Sequence, residues 1–288
     1  MKEIRRIAVL GSGLMGHGIA QVAAQVAKYE VSMRDIKQEF LDNGMRMIKN
    51  SLQRFQKKDI ISETEMNQTL SRIHPTLDMK KAVADADLII EAVPENVQIK
   101  KSVLAEADKL AKKDTLIASN TSSISITDLA SATNRPEKFC GMHFFNPPQL
   151  MRLVEIIRGA KTLDETIAKI ADVSKKMGKE TVIVKKDSAG FVVNRILIPA
   201  LNEALNLVWE GIADRDDIDK AITLGLNWPM GPLKLLDYLG LDTTLSIAEV
   251  LQKEIDPKYS PCPLLRQMTR AGLLGRKTGK GFYDWEKK

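Results

Sequence analysis

Apolar residues in the first two thirds of the chain form short continuous runs, and longer amphipathic stretches separate most of these runs. The strand-like runs cover residues 7–10, 31–33, 88–90, 116–118, 138–143, 153–157 and 181–184. Amphipathic stretches such as residues 100–112 and 163–177 lie between them and predict helices. Buried strands that alternate with helices are typical of a mostly parallel sheet covered on both faces.

Two further patterns predict how the chain is divided. Residues 45–70 are rich in Lys, Arg and Gln and predict a helical hairpin with a turn near residues 60–62. Beyond Lys186 only helical patterns follow, over residues 191–210, 214–224, 232–254 and 262–271. We therefore predict an α/β fold. Its N-terminal Rossmann-type domain (residues 1–186) has a mostly parallel sheet with a helical hairpin insertion, and an all-α C-terminal domain (residues 187–288) follows.

Composition narrows the possible partners. The 288 residues are 44% hydrophobic and 28% charged, which is typical of a globular protein. The net charge of +6 favours an anionic ligand, but the basic residues are spread along the chain, so no nucleic-acid partner is predicted. Cys140 and Cys262 are far apart and the three histidines lack metal-ligand spacing, so neither a disulfide nor a metal site is expected.

The chain start and the lengths of the apolar runs bear on location. Residues 1–6 lead directly into the first strand-like run, without a charged-then-apolar leader or a small-residue cleavage site. No apolar run approaches the ~18 residues that a membrane-spanning helix needs. We therefore predict a cytoplasmic protein without membrane association.

A glycine-rich motif follows the first predicted strand and opens the first predicted helix: Gly11-Ser12-Gly13-Leu14-Met15-Gly16. In a dinucleotide-binding loop, Gly11 would allow the tight turn, Gly13 would let the backbone approach a pyrophosphate, and Gly16 would let helix and strand pack closely. The following helix would offer unpaired N–H groups and its positive end to the phosphates. The motif therefore predicts a dinucleotide cofactor.

Asp35 ends the second predicted strand, about 20 residues beyond the glycine motif, as this type of site requires. A carboxylate there accepts hydrogen bonds from the ribose hydroxyls and repels a 2′-phosphate, so it favours NAD over NADP. Arg34 beside it could instead meet a 2′-phosphate, and Asp35 could simply be an exposed residue. We expect NAD.

His143 ends a predicted strand and is the candidate catalytic base. Ligands of open α/β sheets bind at the carboxyl ends of the strands, which would place His143 beside the nicotinamide. A dehydrogenase removes a proton from a hydroxyl while hydride leaves the same carbon, and histidine is a reversible base near neutral pH. The alternative is a core histidine with no catalytic part.

Glu155 is the candidate partner of this base. It lies inside an apolar strand pattern, where a buried carboxylate is costly unless it is paired. A carboxylate that holds the second imidazole nitrogen would fix the tautomer and stabilise the imidazolium. The alternative is a glutamate at a strand edge that faces water.

Two other polar positions could hold a substrate. Residues 119–123, Ser-Asn-Thr-Ser-Ser, follow another strand and could donate hydrogen bonds to a carbonyl or carboxylate, or could only cap a helix. Asn194 lies within an apolar helical pattern, where an amide is costly unless it is partnered, and a helix–helix hydrogen bond is the alternative.

At these residues the chain resembles the 3-hydroxyacyl-CoA dehydrogenases, a group that includes bacterial-type 3-hydroxybutyryl-CoA dehydrogenases. The resemblance extends over nearly the whole chain and rests on motifs that occur in the same order. These are the glycine motif, Pro94-Glu95-Asn96, residues 119–123, His143-Phe144-Phe145-Asn146-Pro147, Leu153-Val154-Glu155, Gly190-Phe191-Val192-Val193-Asn194-Arg195, Pro229-Met230-Gly231-Pro232 and Gly279-Lys280-Gly281-Phe282-Tyr283.

The resemblance implies a reversible, NAD-dependent oxidation of (S)-3-hydroxyacyl-CoA to 3-ketoacyl-CoA, in fatty acid β-oxidation or butanoate metabolism. It implies that His143 is the general acid/base, that Glu155 is its partner, and that Ser122 and Asn194 hold the substrate oxygens near the nicotinamide. The implied NAD residues are Gly11, Ser12, Gly13, Leu14, Met15, Gly16, Asp35, Glu95, Lys100, Ser122, Asn146 and Lys277.

For the acyl-CoA substrate, the resemblance implies Ser51 and Lys58 in the helical hairpin, with Ser122 near the thioester. Basic residues around Lys58 suit an anionic phosphate, although a run of charges is usually a solvated surface. The resemblance also implies a homodimer formed through the C-terminal domain. Pro148-Gln149-Leu150 stands where some members carry Val, which leaves the preferred acyl-chain length open.

Three other functions are alternatives to this activity. The chain also resembles 3-hydroxyisobutyrate and 6-phosphogluconate dehydrogenases in its two-domain architecture. Those enzymes use a lysine base in the first long helix of the second domain, but the corresponding residues 191–201 of this chain contain no lysine. Lens structural relatives do not need a complete set of site residues, and here the set is complete. An NAD-binding regulator would bind the cofactor without turnover.

Overall fold

The computed structural model describes residues 3–285 and divides the chain into two compact units, Met1–Asp187 and Ser188–Lys288. The prediction that no leader is present concerns residues 1–6, and two of these, Met1 and Lys2, lie outside the described residues. Within residues 3–285, no helix combines the length and the apolar character that a membrane crossing requires.

The first unit is built on one eight-stranded sheet. Its strands are β1 (Arg6–Leu10), β2 (Glu30–Arg34), β3 (Ile73–Thr76), β4 (Leu88–Glu91), β5 (Leu116–Ser119), β6 (Phe139–Phe144), β7 (Leu153–Arg158) and β8 (Glu180–Val184). Their order in the sheet is β3-β2-β1-β4-β5-β6-β7-β8, and every neighbouring pair is parallel except β6 and β7. The sheet is therefore mostly parallel, as the apolar runs predict.

Seven α-helices and a short 3-10 helix (Pro136–Lys138) accompany the sheet in the described part of this unit. The α-helices are α1 (Gly16–Gln25), α2 (Gln38–Gln56), α3 (Glu63–Ser71), α4 (Met79–Val83), α5 (Val97–Leu110), α6 (Ile126–Ala130) and α7 (Asp164–Lys176). The central strands β4 and β5 are buried at every position, because an open parallel sheet is covered on both faces. The apolar core runs from α1 and α2 across the sheet to α7.

The helical hairpin is present as α2 and α3, which meet at a turn before Ser62. Ser62 and Glu65 form a capping box that fixes where α3 begins, since each side chain satisfies a backbone N–H of the other residue. The helix α2 begins seven residues before the predicted start of the hairpin. Strand β3 was not predicted, because it is short, contains His74 and Pro75, and lies at the sheet edge where proline is tolerated.

The second unit is helical in its described part, with α8 (Val193–Trp209), α9 (Arg215–Leu226), α10 (Pro232–Leu239), α11 (Leu241–Glu254) and α12 (Pro263–Arg270). The prediction of one helix over residues 232–254 is wrong, because Gly240 adopts φ of 99° and separates α10 from α11. A positive φ favours glycine and ends a helix. The predicted fold class, an α/β unit followed by an all-α unit, is confirmed.

Candidate active site

The carboxyl ends of β1 and β4 form the point at which the strand order of the first unit reverses. From β1 the chain continues to β2 and β3 on one side, and then crosses to β4 on the other side. In open α/β sheets a ligand crevice lies outside the strand ends at such a point. The glycine motif follows β1, and the polar residues 119–123 begin at the end of β5, next to β4.

The glycine loop is packed tightly except at its middle glycine. A Cβ at Gly11, which has φ of 101°, would lie 2.5 Å from the carbonyl oxygen of Ala92. A Cβ at Gly16 would lie 1.8 Å from the carbonyl oxygen of Gly11. Around Gly13 no atom lies within 4 Å of the corresponding position, and the residue is exposed. A ligand phosphate can therefore approach the backbone at Gly13, which fits a dinucleotide.

Helix α1 begins directly after this loop. Leu14 is exposed, and the side chain of Met15, the residue before the helix, makes no capping hydrogen bond. The first turn of α1 also contains no acidic side chain. The positive end of the helix dipole is thus not neutralised by the helix's own residues, and it suits a phosphate.

Asp35 follows β2 and is tied to the glycine loop. Its Oδ2 accepts hydrogen bonds of 2.8 Å from both the backbone N–H and the hydroxyl of Ser12, and its Oδ1 accepts one of 2.7 Å from Ile36 N–H. Ser12 is buried, whereas Asp35 is half-buried. The carboxylate is therefore held in a set orientation beside the loop, with lone pairs left for a ligand hydroxyl.

His17 is the first residue after the glycine motif in the sequence. It is buried in α1, and its Nδ1 lies 2.7 Å from the Gly13 carbonyl oxygen. Burial lowers the pKa of His17 despite this hydrogen bond. The neutral ring therefore stabilises the glycine loop, which is a structural role.

His143 and Glu155 face each other across β6 and β7. They are directly opposed in the antiparallel register, and His143 Nδ1 lies 2.8 Å from Glu155 Oε2. The exposed fractions are 6% for His143 and 0% for Glu155, so water screens the pair very little. The carboxylate can hold the imidazole in one tautomer and stabilise its protonated form, which is what a reversible base needs.

Residues 119–123 serve different purposes although they are adjacent. Asn120 Oδ1 accepts a 2.8 Å hydrogen bond from Phe144 N–H and thereby ties the end of β5 to the end of β6. Thr121 and Ser122 donate hydrogen bonds to Glu95. The helix-capping alternative for this cluster does not hold, because Ser125, which lies outside it, caps α6 by accepting from Asp128 N–H at 3.1 Å.

Glu95 lies in the loop between β4 and α5 and binds two of these hydroxyl residues. Its Oε1 accepts from Thr121 Oγ1 at 2.6 Å and from Ser122 N–H and Oγ at 2.8 and 3.2 Å, and Lys100 Nζ lies 3.2 Å from its Oε2. Partial burial raises the pKa of the Glu95 carboxyl, but the Lys100 ammonium and these hydrogen bonds outweigh it and keep the pKa below its ordinary value. Glu95 is therefore a carboxylate at neutral pH.

Glu91 is a residue of this region that the sequence analysis missed. It ends β4, is completely buried, and lies 2.8 Å from Lys100 Nζ. An acid that closes an apolar strand pattern is the same signal that pointed to Glu155, and applied to residues 88–91 it would have found Glu91 as well.

Asn146 is exposed in the loop that follows β6. The buried Lys179 holds this loop through hydrogen bonds from its Nζ to the carbonyl oxygens of Pro148 (2.6 Å) and Met151 (2.9 Å). Burial lowers the pKa of Lys179. The loop that carries Asn146 is therefore anchored at its far end.

The two residues implied for CoA have different environments. Ser51 is buried in α2, whereas Lys58 is exposed two residues beyond the end of that helix, together with Arg54 and Lys57. These three basic side chains form a positively charged surface next to the hairpin turn. The described contacts do not bring Ser51 into this surface.

The second unit carries the remaining two implied residues. Asn194 is half-buried in the first turn of α8. Lys277 is exposed and forms an ion pair with Asp242 of α11. Both residues therefore belong to the helical second unit.

Family models match almost the whole chain. Residues 6–188 match the model described as "3-hydroxyacyl-CoA dehydrogenase, NAD binding domain". Residues 190–285 match the model described as "3-hydroxyacyl-CoA dehydrogenase, C-terminal domain".

Individual relatives are similar over equally long stretches. A probable 3-hydroxybutyryl-CoA dehydrogenase of Deinococcus radiodurans is 50% identical over 97% of this chain and 100% of its own length. The 3-hydroxybutyryl-CoA dehydrogenase of Bradyrhizobium diazoefficiens is 45% identical over 98% of this chain and 96% of its own. The crystal structure of an (S)-3-hydroxybutyryl-CoA dehydrogenase from Ralstonia eutropha superposes with a TM-score of 0.94 at 45% identity, covering 99% of this chain and 100% of that one.

Proposed function

Because the chain belongs to the 3-hydroxyacyl-CoA dehydrogenase family and is an NAD-dependent enzyme of that type, we propose that it oxidises (S)-3-hydroxybutyryl-CoA reversibly. The product is the corresponding 3-ketoacyl-CoA. Similarity to several 3-hydroxybutyryl-CoA dehydrogenases supports a short acyl chain. The resemblance further supports a place in fatty acid β-oxidation or butanoate metabolism.

The buried His143–Glu155 pair is the observation that carries this proposal. In the oxidation, the substrate hydroxyl loses its proton to His143 while the hydrogen on the same carbon leaves with its electron pair. When Nδ1–H donates to Glu155, the neutral imidazole presents Nε2 as the proton acceptor. Glu155 then stabilises the imidazolium that forms, and in the reverse direction His143 returns the proton to the carbonyl oxygen.

When bound, NAD would supply the acceptor for the hydride. The residues of this chain that fit it are the open backbone at Gly13, the start of α1 and the oriented carboxylate of Asp35. Asp35 would accept from the ribose hydroxyls, which favours NAD over NADP. Glu95, Lys100, Ser122, Asn146 and Lys277 are further proposed to serve the NAD site.

The substrate residues are proposed from the resemblance and from their chemistry. Ser122 and Asn194 would hold the substrate oxygens near the nicotinamide, and Ser122 would lie near the thioester. Ser51 and Lys58 would serve the CoA portion. The exposed basic surface of Arg54, Lys57 and Lys58 supports an anionic phosphate group there.

A homodimer through the second unit is also part of the proposal. Several large apolar side chains of that unit are exposed, namely Ile196 (70%), Ile212 (64%), Leu224 (77%) and Leu226 (62%). An interface that covers these side chains would remove their apolar surface from water, which favours association. They support the resemblance, which implies a dimer of this kind.

The test of the proposed function is turnover with defined substrates. We expect the purified protein to reduce NAD with (S)-3-hydroxybutyryl-CoA and to oxidise NADH with acetoacetyl-CoA near neutral pH. His143→Gln should lower turnover by about 10²- to 10⁴-fold, with smaller effects on cofactor binding.

His74→Gln is the matched control, because His74 is an exposed histidine of the same unit that pairs only with Glu30 at the sheet edge among its described contacts. A His143→Gln variant that keeps most of its activity would show that the base is another residue. Tight NAD binding without any turnover would favour a regulator instead.

A further inference from the structure

Three charged residues, the buried Glu91 and Lys100 and the exposed Glu95, form a cluster next to the candidate cofactor crevice. Glu91 is paired in register with Leu10 of β1 on one side and with Ser119 of β5 on the other. It therefore lies at the sheet position where the strand order reverses, next to the residue that precedes the glycine loop. Its partner Lys100, in the first turn and a half of α5, has an exposed fraction of 1%.

The ammonium of Lys100 has acceptors for all three of its protons. They are Glu91 Oε1 at 2.8 Å, the carbonyl oxygen of Val93 at 3.1 Å and Glu95 Oε2 at 3.2 Å. An ammonium has three donors, so this set is complete. Lys100 thus acts on a ligand through Glu95, and its own charge stays inside the protein.

Glu91 is held as firmly as Lys100. Its Oε1 also accepts from Val93 N–H at 2.7 Å, and its Oε2 accepts from the Ser119 hydroxyl at 2.5 Å. A buried carboxylate is tolerated only when it is paired and hydrogen-bonded, and Glu91 meets both conditions. Because these partners lie on β5, on α5 and in the loop between β4 and α5, Glu91 determines where Lys100, and through it Glu95, is placed.

The charges of the cluster do not cancel. Two glutamates, Glu91 and Glu95, share the Lys100 ammonium, so the cluster has one negative charge in excess. Water screens the buried Glu91–Lys100 pair poorly, whereas the side chain of Glu95 is 37% exposed and can face a ligand. Glu95 binds Ser122, the residue proposed to lie near the nicotinamide. The oxidised nicotinamide ring carries a positive charge and the reduced ring does not.

We propose that Glu91 is a positioning residue of the cofactor site, which holds the Glu95 carboxylate in place through Lys100 and gives the cluster the charge that favours NAD⁺ over NADH. This proposal rests on the proposed function, which places Ser122 beside the nicotinamide. In this proposal Glu91 contacts neither cofactor nor substrate. It affects both the affinity for the cofactor and the preference for the oxidised form over the reduced form.

The Glu91→Gln variant removes the charge of this side chain and keeps its shape. The amide oxygen can keep the contacts to Lys100 and Val93, and its NH₂ group can donate to the Ser119 hydroxyl oxygen. We expect the dissociation constant of NAD⁺ to rise about tenfold or more, and that of NADH to rise less, so that their ratio shifts by about threefold or more toward NADH. Calorimetric titration with NAD⁺ and with NADH measures both constants.

Two control variants show whether the effect is specific. Glu106→Gln removes the same charge from the exposed side of α5 and should leave both constants unchanged. Asp108→Asn removes a buried carboxylate of the same helix that pairs with Arg135 at 2.5 Å. It should lower stability without changing the ratio of the two constants, which is the result that a merely structural residue gives.

The double variant Glu91→Gln/Lys100→Met removes both buried charges and keeps the net charge through Glu95, so it also serves if the single variant does not fold. It should weaken NAD⁺ and NADH by the same factor, because only the positioning of Glu95 is lost. Unchanged constants in either variant, or equal weakening of both cofactors by Glu91→Gln, would overturn the proposal. A wild-type protein that binds neither cofactor would instead overturn the proposed function.

Discussion

At the scale of single residues, Glu155 is an acidic side chain buried beside the candidate base. It is completely buried and lies 2.8 Å from His143. An acidic group in such a place acts strongly on its neighbour because little solvent lies between them, and its burial would be costly if that neighbour were removed.

Glu155→Gln should therefore lower turnover on the order of 10²-fold, because the amide no longer stabilises the imidazolium. The acidic limb of the pH profile for alcohol oxidation should also move to lower pH, since protonation of the imidazole becomes less favourable. Steady-state rates between pH 5 and pH 9 measure both effects.

Glu180→Gln is a suitable comparison, because that carboxylate makes only an exposed ion pair with Arg152 among its described side-chain contacts. Such pairs contribute little, so its kinetics should equal those of the wild type. If the kinetics of Glu155→Gln were also unchanged, Glu155 would be structural only.

The half-buried Asp35 gives a second prediction at this scale. Asp35→Arg should shift the preference from NAD toward NADP, because a guanidinium can bind the 2′-phosphate that a carboxylate repels. It should also weaken NAD itself, since the contacts to Ser12 are lost. The ratio of kcat/KM values for the two cofactors is the measurement.

Asp42→Arg introduces the same change of charge at an exposed position of α2 and should leave this ratio unchanged. No shift in the Asp35 variant would argue against a ribose contact at that residue.

At the scale of elements, the direction of one strand brings the acid–base pair together. β7 runs antiparallel to β6, so His143 and Glu155 are opposite each other although they are 12 residues apart in the chain. Cβ atoms of directly opposed residues are about 4.5–5.5 Å apart, which is within reach of an imidazole and a carboxylate. A parallel β7 would need a longer crossover and would not place them so.

In the second unit, α10 holds the last described segment of the chain. Asp237 is 1% exposed, and its carboxylate accepts from Phe282 N–H (2.8 Å), Tyr283 N–H (2.8 Å) and Trp285 Nε1–H (2.9 Å). Three donors therefore depend on one side chain, and a Cβ at Gly281 would lie only 2.1 Å from it.

Asp237→Asn should lower the free energy of unfolding by about 2–4 kcal/mol, because the amide has one acceptor oxygen in place of two and buried donors lose their partner. Urea unfolding followed by tryptophan fluorescence measures this change. Asp284→Asn is the control, since Asp284 is exposed in the same segment. Equal stability of the two variants would show that the segment does not depend on Asp237.

At the scale of the whole molecule, the exposed apolar side chains of the second unit predict assembly. We expect the purified protein to have the mass of a dimer in analytical ultracentrifugation. Leu224→Asp should raise the dissociation constant of the dimer by about 100-fold or more, because it places a charge where an apolar contact is expected.

Ile60→Asp is the control, because Ile60 is also a large apolar residue with an exposed side chain (61%) but lies in the first unit. This variant should keep the mass of the dimer. A wild-type protein that stays monomeric at all concentrations, or a Leu224 variant that stays dimeric, would contradict an interface at this surface.

Much of the fold was predictable because its signals are local. Each central strand is a short apolar run, and the glycine motif with Asp35 is recognised from spacing along the chain. The edge strand β3 and the break at Gly240 were missed, because a four-residue strand has little periodicity and one glycine within an apolar helical pattern is ambiguous.

The amino-acid sequence alone thus determined the class of fold, the order of most of its elements and the family of the chain, since all of these follow from residues that are neighbours along the chain. Only the tertiary structure decided that β7 opposes β6, that Glu155 lies against His143, and that Glu91 and Glu95 share Lys100. These relations join residues on separate elements, and the strand register and the burial that create them are properties of the folded sheet.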